Sequence, residues 1–145
     1  METPLTSWIV WALLSAAFAA MTAIFAKVGI EGVNSDFATL VRTVVILIAA
    51  GGIVAATNHW QDPSTISAKT WSFLVLSGLA TGASWVCYFR ALKLGPAGQV
   101  APVDKLSVVL VAIFAAVFLG ERMAIHNWLG VALIAGGAVL VAVPQ

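Results

Sequence analysis

The sequence predicts an all-α integral membrane protein of about five transmembrane helices joined by short loops. Three observations predict it. The chain of 145 residues is 61% hydrophobic and only 9% charged, against roughly 45–50% apolar and 25% charged residues in a soluble domain. Its mean hydropathy is +1.03, more apolar surface than a water-soluble fold of this size can hide. The apolar residues also run in long blocks cut by turn formers, unlike the alternating ten-residue segments of a lipid-embedded barrel. A spanning helix takes about 20 apolar residues, so five spans use nearly all of 1–145 as one transmembrane domain and leave no room for a soluble one.

The first helix is expected over about 7–28. Residues 1–7 hold Glu2 but no Lys or Arg, and the apolar run behind them is longer than the h-region of a secretory signal, so the run reads as a span. It ends where Lys27, Gly29, Glu31, Gly32, Asn34 and Asp36 gather polar and turn-forming residues. The second helix takes about 36–57. The longest loop follows, carrying His59, Gln61, Asp62, Pro63, Ser64 and Lys69 between Trp60 and Trp71, amphipathic rings of the kind that settle at a membrane interface. The third helix covers about 71–94, with Arg90 and Lys93 placed in its last turns to reach the headgroups. Gly95-Pro96-Ala97-Gly98 is the turn into a fourth helix at about 97–119. A short charged connection then leads to a fifth at about 127–143.

Several functions are excluded by what is missing. The net charge of +1 comes from few, scattered groups, and no basic run could neutralise a series of phosphates, so nucleic acid is not an expected partner. The single cysteine, Cys87, allows neither an intrachain disulfide nor a Cys-based metal cluster, and reads as a small buried apolar residue. His59 and His126 fall in connections, and the sequence has no HExxH, P-loop, GxGxxG or nucleophile elbow. Neither an enzyme nor a bound cofactor or metal is expected.

An ionisable side chain in hydrocarbon costs several kcal/mol unless paired or hydrated, which singles out Arg42, Asp104 and Lys105. At about 1.5 Å per residue, Arg42 lies roughly 9 Å inside the second helix, and Asp104 and Lys105 roughly 10–12 Å inside the fourth. Both helices start from the same face of the membrane. Adjacent residues on a helix point about 100° apart, so Asp104 and Lys105 should not satisfy each other. An interhelical Arg42–Asp104 pair is the economical arrangement, with Lys105 left to face a cavity, a carbonyl or an anionic substrate. The competing reading makes all three charges packing glue or snorkelling residues. Pro102 stands just ahead of the pair and removes one helical hydrogen bond, that of the Gly98 carbonyl. Irregular backbone of this kind is tolerated in membranes where it is buried in protein or lines water, and it marks binding sites in transporters. The alternative is a Pro in the first turn of a helix that starts later.

Other patterns are weaker. Gly78 and Gly82, and Ala132, Gly136 and Gly137, put small residues where helices can approach closely. Trp85, Tyr88 and Phe89 form a stripe that either lines a pocket for an apolar or cationic ligand or faces lipid as an anchor.

Three stretches taken together are familiar: 89–97 (FRALKLGPA), 100–107 (VAPVDKLS) and 118–122 (FLGER). In this order and spacing they resemble the EamA-type unit of the drug/metabolite transporter superfamily, the Ala-Pro step into the fourth helix and the Leu-Gly-Glu that ends it being the most specific parts. The first two helices match in hydropathy alone. The resemblance implies a helical transporter of small metabolites or drugs, without a cofactor, whose usual full-length members carry two five-helix halves of opposite orientation. This chain supplies one half. By that likeness Pro102, Asp104 and Lys105 belong to the most recognisable segment, and Gly120 with Glu121 shapes the exit of the fourth helix.

Five spans leave the termini on opposite sides of the bilayer, so the inverted half must come from elsewhere. The loops on the N-terminal side hold Lys69 and Arg122, and those on the other side hold Lys27, Arg90 and Lys93, a bias too small to fix orientation strongly. An antiparallel homodimer, or pairing with a homologous half-unit, is therefore expected. The expected function is secondary transport of a small molecule across a bacterial inner membrane, with Asp104, Lys105, Pro102 and Arg42 as substrate-binding candidates. The alternative is an accessory or scaffold subunit that transports nothing.

Overall fold

The protein is described by a computed structural model over residues 8–143. It consists of helices α1 (Trp8–Gly29), α2 (Ser35–Thr57), α3 (Ala68–Leu94), α4 (Ala97–Asp104), α5 (Ser107–Phe118) and α6 (Ile125–Ala142), with a 3₁₀ turn at Pro63–Thr65. No strand occurs among the described residues. Five segments are long and apolar enough to cross a membrane, α4 and α5 together forming the fourth span, Ala97–Phe118. The expected start at Ser7 lies outside the described residues.

Local chemistry sets the ends of these helices. Asn34 caps α2, its side-chain oxygen accepting from the Asp36 and Phe37 amides at 2.9 and 3.3 Å. The same helix closes on Asn58, which takes the left-handed conformation at φ 53°. The Asn58 amide then reaches the Ala55 carbonyl and the His59 amide reaches Val54, the double return bond of a Schellman motif. α3 begins three residues earlier than Trp71 because Ser67 caps it, its Oγ accepting from the Thr70 amide at 3.1 Å. At 27 residues, α3 is roughly 40 Å long, more than the hydrocarbon thickness of about 30 Å, so its ends extend into the interfaces. Gly120, at φ +68°, lets the chain reverse after α5 so that the Glu121 amide donates back to the Ala115 carbonyl.

The chain divides into two compact units. One holds residues 8–27 and 94–143, and the other 28–93. In the first, α6 packs against α4 and against α5. Its buried positions are Ala23, Ala26, Ala112 and Ala138, side chains small enough to bring helix backbones together without a hydrophobic driving force, which lipid does not supply. The second unit buries Ile30, Ser35, Thr39, Phe89 and Leu92. The Thr39 hydroxyl is satisfied by the Ser35 carbonyl at 2.9 Å. Large apolar side chains elsewhere on every span are exposed, as expected of surfaces that face acyl chains or other subunits. Cys87 is exposed as well, contrary to the buried position expected for it, because its place on α3 is off the buried Phe89 and Leu92 face.

Candidate substrate site

In the first unit, the fourth span is broken. The sequence predicts one continuous helix over 97–119, but α4 ends at Asp104 and α5 begins at Ser107. Pro102 inside α4 has no N–H to donate. Four to seven residues later the ladder tightens: Leu106 donates to Val103, Val108 to Lys105 and Val109 to Leu106, each bond reaching back three residues at 3.0 Å. Local 3₁₀ geometry of this kind inside a helix is often found at hinges or in strained sequences. Asp104 is thus the last residue of α4, and Lys105 follows it as the C-cap.

The pairing differs from expectation as well. Lys105 Nζ lies 3.4 Å from Asp104 Oδ2, with 56% of the lysine and 34% of the aspartate side chain exposed. The expectation that these neighbours could not reach each other is corrected: the backbone of Lys105 stays right-handed helical, and it is the long flexible lysine stem that bends back across the angular offset. The contact is long beside the roughly 2.7–2.9 Å of a strong charge-assisted bond, so the pair is loosely held.

In the second unit, Arg42 has a partner that charge counting alone did not reveal. Its guanidinium carbon stands 3.1 Å from the centre of the Trp85 ring and 5.9 Å from that of Phe89. Trp85 in turn meets Tyr88 edge-on at 5.6 Å and Phe89 at 5.9 Å. Within its own unit each residue has a neighbour of its own, Arg42 an aromatic face and Asp104 the adjacent Lys105. A cation over an indole contributes between about 0.5 and 2 kcal/mol, more when dry. The aromatic stripe on α3 receives the protein's own cation. Depth could have found it, because Arg42 is seven residues from the start of α2 and Trp85 nine from the end of α3, roughly 10 and 14 Å into antiparallel helices.

The polar end of this unit is stapled. Arg90 grips Asp36 with two bonds, Nε to Oδ1 at 3.0 Å and Nη2 to Oδ2 at 2.8 Å, the planar fork suited to a carboxylate. Lys93 donates to the Val33 carbonyl at 2.8 Å. In the first unit, Lys27 similarly donates to the Gly95 carbonyl at 2.9 Å. Lys93 and Arg90 thus tie down the α1–α2 connection rather than only reaching for headgroups. No group of three or more His, Cys, Asp or Glu able to hold a metal occurs among the described residues.

Comparison with known proteins agrees with this architecture. The EamA-like transporter family matches residues 6–143. An uncharacterized transporter in the cobO 3' region of a Sinorhizobium species is 69% identical over 137 residues, 94% of this chain and 97% of that one. Two more distant relatives are named as probable subunits of a 4-amino-4-deoxy-L-arabinose-phosphoundecaprenol flippase. ArnE of Aeromonas hydrophila is 31% identical over 83 residues, covering 57% of this chain and 68% of its own. ArnF of Sodalis glossinidius is 36% identical over 93 residues, covering 63% and 70%. No solved structure matches. With five apolar spans and a family match over nearly its whole length, the chain belongs to the EamA-like transporter family and is a small multi-pass membrane transporter of the drug/metabolite type.

Proposed function

We propose that this chain is a single EamA-type half-unit of a secondary transporter in a bacterial inner membrane, completed by a second copy in opposite orientation or by a paired homologue, and that it is not an enzyme. The observation that carries the reading is the break in the fourth span after Pro102, with the loosely held Asp104 and Lys105 beside it. Backbone freed from the helical ladder, next to charges not locked in a tight pair, supplies polar groups to a passing substrate at a depth where lipid supplies none. Pro102, Asp104 and Lys105 are the substrate contacts of the first unit, and Arg42 is a separate contact in the second. The five spans among the described residues amount to one half of such an arrangement, which favours pairing with an inverted half. Two relatives named as flippase subunits agree with an assembly of more than one chain. The substrate in their names, a sugar on phosphoundecaprenol, puts phosphate-bearing amphiphiles at the head of the substrate panel.

Proteoliposome counterflow with that panel tests the reading, alongside reporters fused separately to each terminus. Lys105→Ala is expected to abolish transport while leaving the yield of folded protein nearly unchanged. Full transport by Lys105→Ala removes the residue from the mechanism. A fall in folded yield alone assigns the charge to packing and favours the scaffold reading. Reporter signal on both sides of the membrane is expected for an antiparallel homodimer, and a single orientation in cells without a homologue rules that version out.

A further inference from the structure

Three described cations lie more than one helical turn inside a span. Arg90 is held by Asp36 through two bonds, and Lys105 rests on Asp104. Arg42 differs from both. Among the described residues its guanidinium donates to no carboxylate, hydroxyl or carbonyl, and it lies against the rings of Trp85 and Phe89, with Tyr88 close enough to act on its charge. A ring satisfies the face of a guanidinium, but its five N–H donors lie in the plane, pointing away from the stack. Stacking therefore leaves the donor edge open and fixes its direction, which is the arrangement that receives an oxyanion through two parallel bonds.

The surroundings say what carries the oxyanion. Arg42 lies roughly 10 Å along α2 from Ser35, inside the hydrocarbon and below the level at which bilayer phosphates rest. One turn further along the same face of α2 stand Val45 and Ile46, both apolar and about half exposed. A free, fully hydrated ion gains nothing from such a surface, whereas an amphiphile lays its apolar tail along α2 and brings its head to the guanidinium. We propose that Arg42, held edge-outward by Trp85, is a binding site for the phosphate head of an amphiphile within the membrane. This deepens the transport reading above and rests on it for the choice of phosphate among oxyanions.

The test is equilibrium binding to the full chain purified in dodecyl maltoside, read by tryptophan fluorescence and calorimetry, with farnesyl phosphate as probe. Farnesyl phosphate is expected to bind about tenfold or more tightly than farnesol, the difference contributed by charge-assisted bonds. Arg42→Gln should remove that preference, and Arg42→Lys should restore only part of it because a point charge lacks the fork. Trp85→Phe should lose most of the fluorescence change while still binding. Equal binding of farnesol and farnesyl phosphate by the unmodified chain overturns the proposal without any variant, and so does an undiminished preference in folded Arg42→Gln. Laurate binding as tightly as farnesyl phosphate overturns the phosphate assignment. Displacement by equimolar phosphatidylglycerol assigns the phosphate to bilayer lipid, and resistance to it assigns the site to a transported substrate. Binding through Arg42 by a chain that moves nothing in liposomes would refute the transport reading alone, and transport with no role for Arg42 would refute this site alone.

Discussion

Each of the two units is packed internally by a different chemistry. The first, residues 8–27 and 94–143, buries four alanines among its described residues, and its polar ties include the Lys27–Gly95 bond and a loose contact between the sequence neighbours Asp104 and Lys105. The second, residues 28–93, buries Phe89, Leu92 and Ile30 with two hydroxyl side chains, and ties its helices with a bidentate Arg90–Asp36 pair, a Lys93–Val33 bond and the Arg42–Trp85 stack. Hydrogen bonds and large interlocked side chains resist both sliding and rotation, because each has a preferred geometry. Contacts between alanines have a shallow optimum, and helices meeting through them can shift by small steps at little cost. Transport requires one part of a protein to change its arrangement while another keeps its own. The broken fourth span belongs to the unit whose packing resists change least.

The largest effect should come from Leu92, which has no exposed surface. Leu92→Ala is expected to cost about 2–5 kcal/mol, since cavity loss is felt even where lipid removes the hydrophobic term. Leu79→Ala, at a position that is 67% exposed, serves as the control and should change the thermal midpoint in detergent little. Equal losses from both would show that the second unit has no rigid centre, and the comparison would fail. Ala138→Leu tests the first unit in the opposite direction. Adding volume at a close helix contact should cost about 1–3 kcal/mol and reduce counterflow more than it reduces folded yield. Transport unchanged by a larger side chain there would mean that the alanine contacts are not where the unit moves.

Much of this was legible in the sequence, and the failures share a cause. Five spans follow from composition and turn signals because lipid leaves a chain few alternatives, and Pro102 announced an irregular fourth span. Which groups pair is a different kind of information. Charge counting considers only Asp104 for Arg42, but a guanidinium also binds an aromatic face, and Trp85 lies at a matching depth on the helix next in sequence to that of Arg42. Similarly, the rule that keeps Asp104 and Lys105 apart concerns the directions of their Cβ atoms, and a flexible lysine stem reaches past it to a contact of 3.4 Å. The Arg90–Asp36 staple was missed because both residues were read as separate interfacial charges.

The smallest expected effect separates the units by acid. Asp62 lies in the connection between α2 and α3, outside the membrane-spanning segments, and its carboxylate accepts from the Ser64 amide at 2.8 Å to start the 3₁₀ turn. The backbone and side-chain hydrogen bonds with Ser64 hold its pKa below the ordinary carboxylate value of 3.8, against a smaller opposing effect of desolvation. A carboxylate depressed in the folded state stabilises the fold at pH values above its unfolded pKa, and that contribution is lost as the pH falls through the lower folded value. Between pH 7 and 5 the turn should therefore be indifferent to pH, and only below about pH 4 should it loosen. Amide hydrogen exchange at Ser64, Thr65 and Ile66 reads this directly, once corrected for the intrinsic pH dependence of exchange. Their protection should fall in strong acid, while protection along α6 in the first unit, which has no carboxylate in its span, should hold. Asp62→Asn keeps an acceptor oxygen but removes the titrating charge, so the acid-dependent loss should vanish and leave a slightly weaker, pH-independent turn. If protection at Ser64 in the unmodified chain stays constant through the acid range, the carboxylate is not what starts the turn. The α2–α3 connection would then be held chiefly by its other contacts, Gln61 with Thr65 and the Trp71 indole on the Pro63 carbonyl.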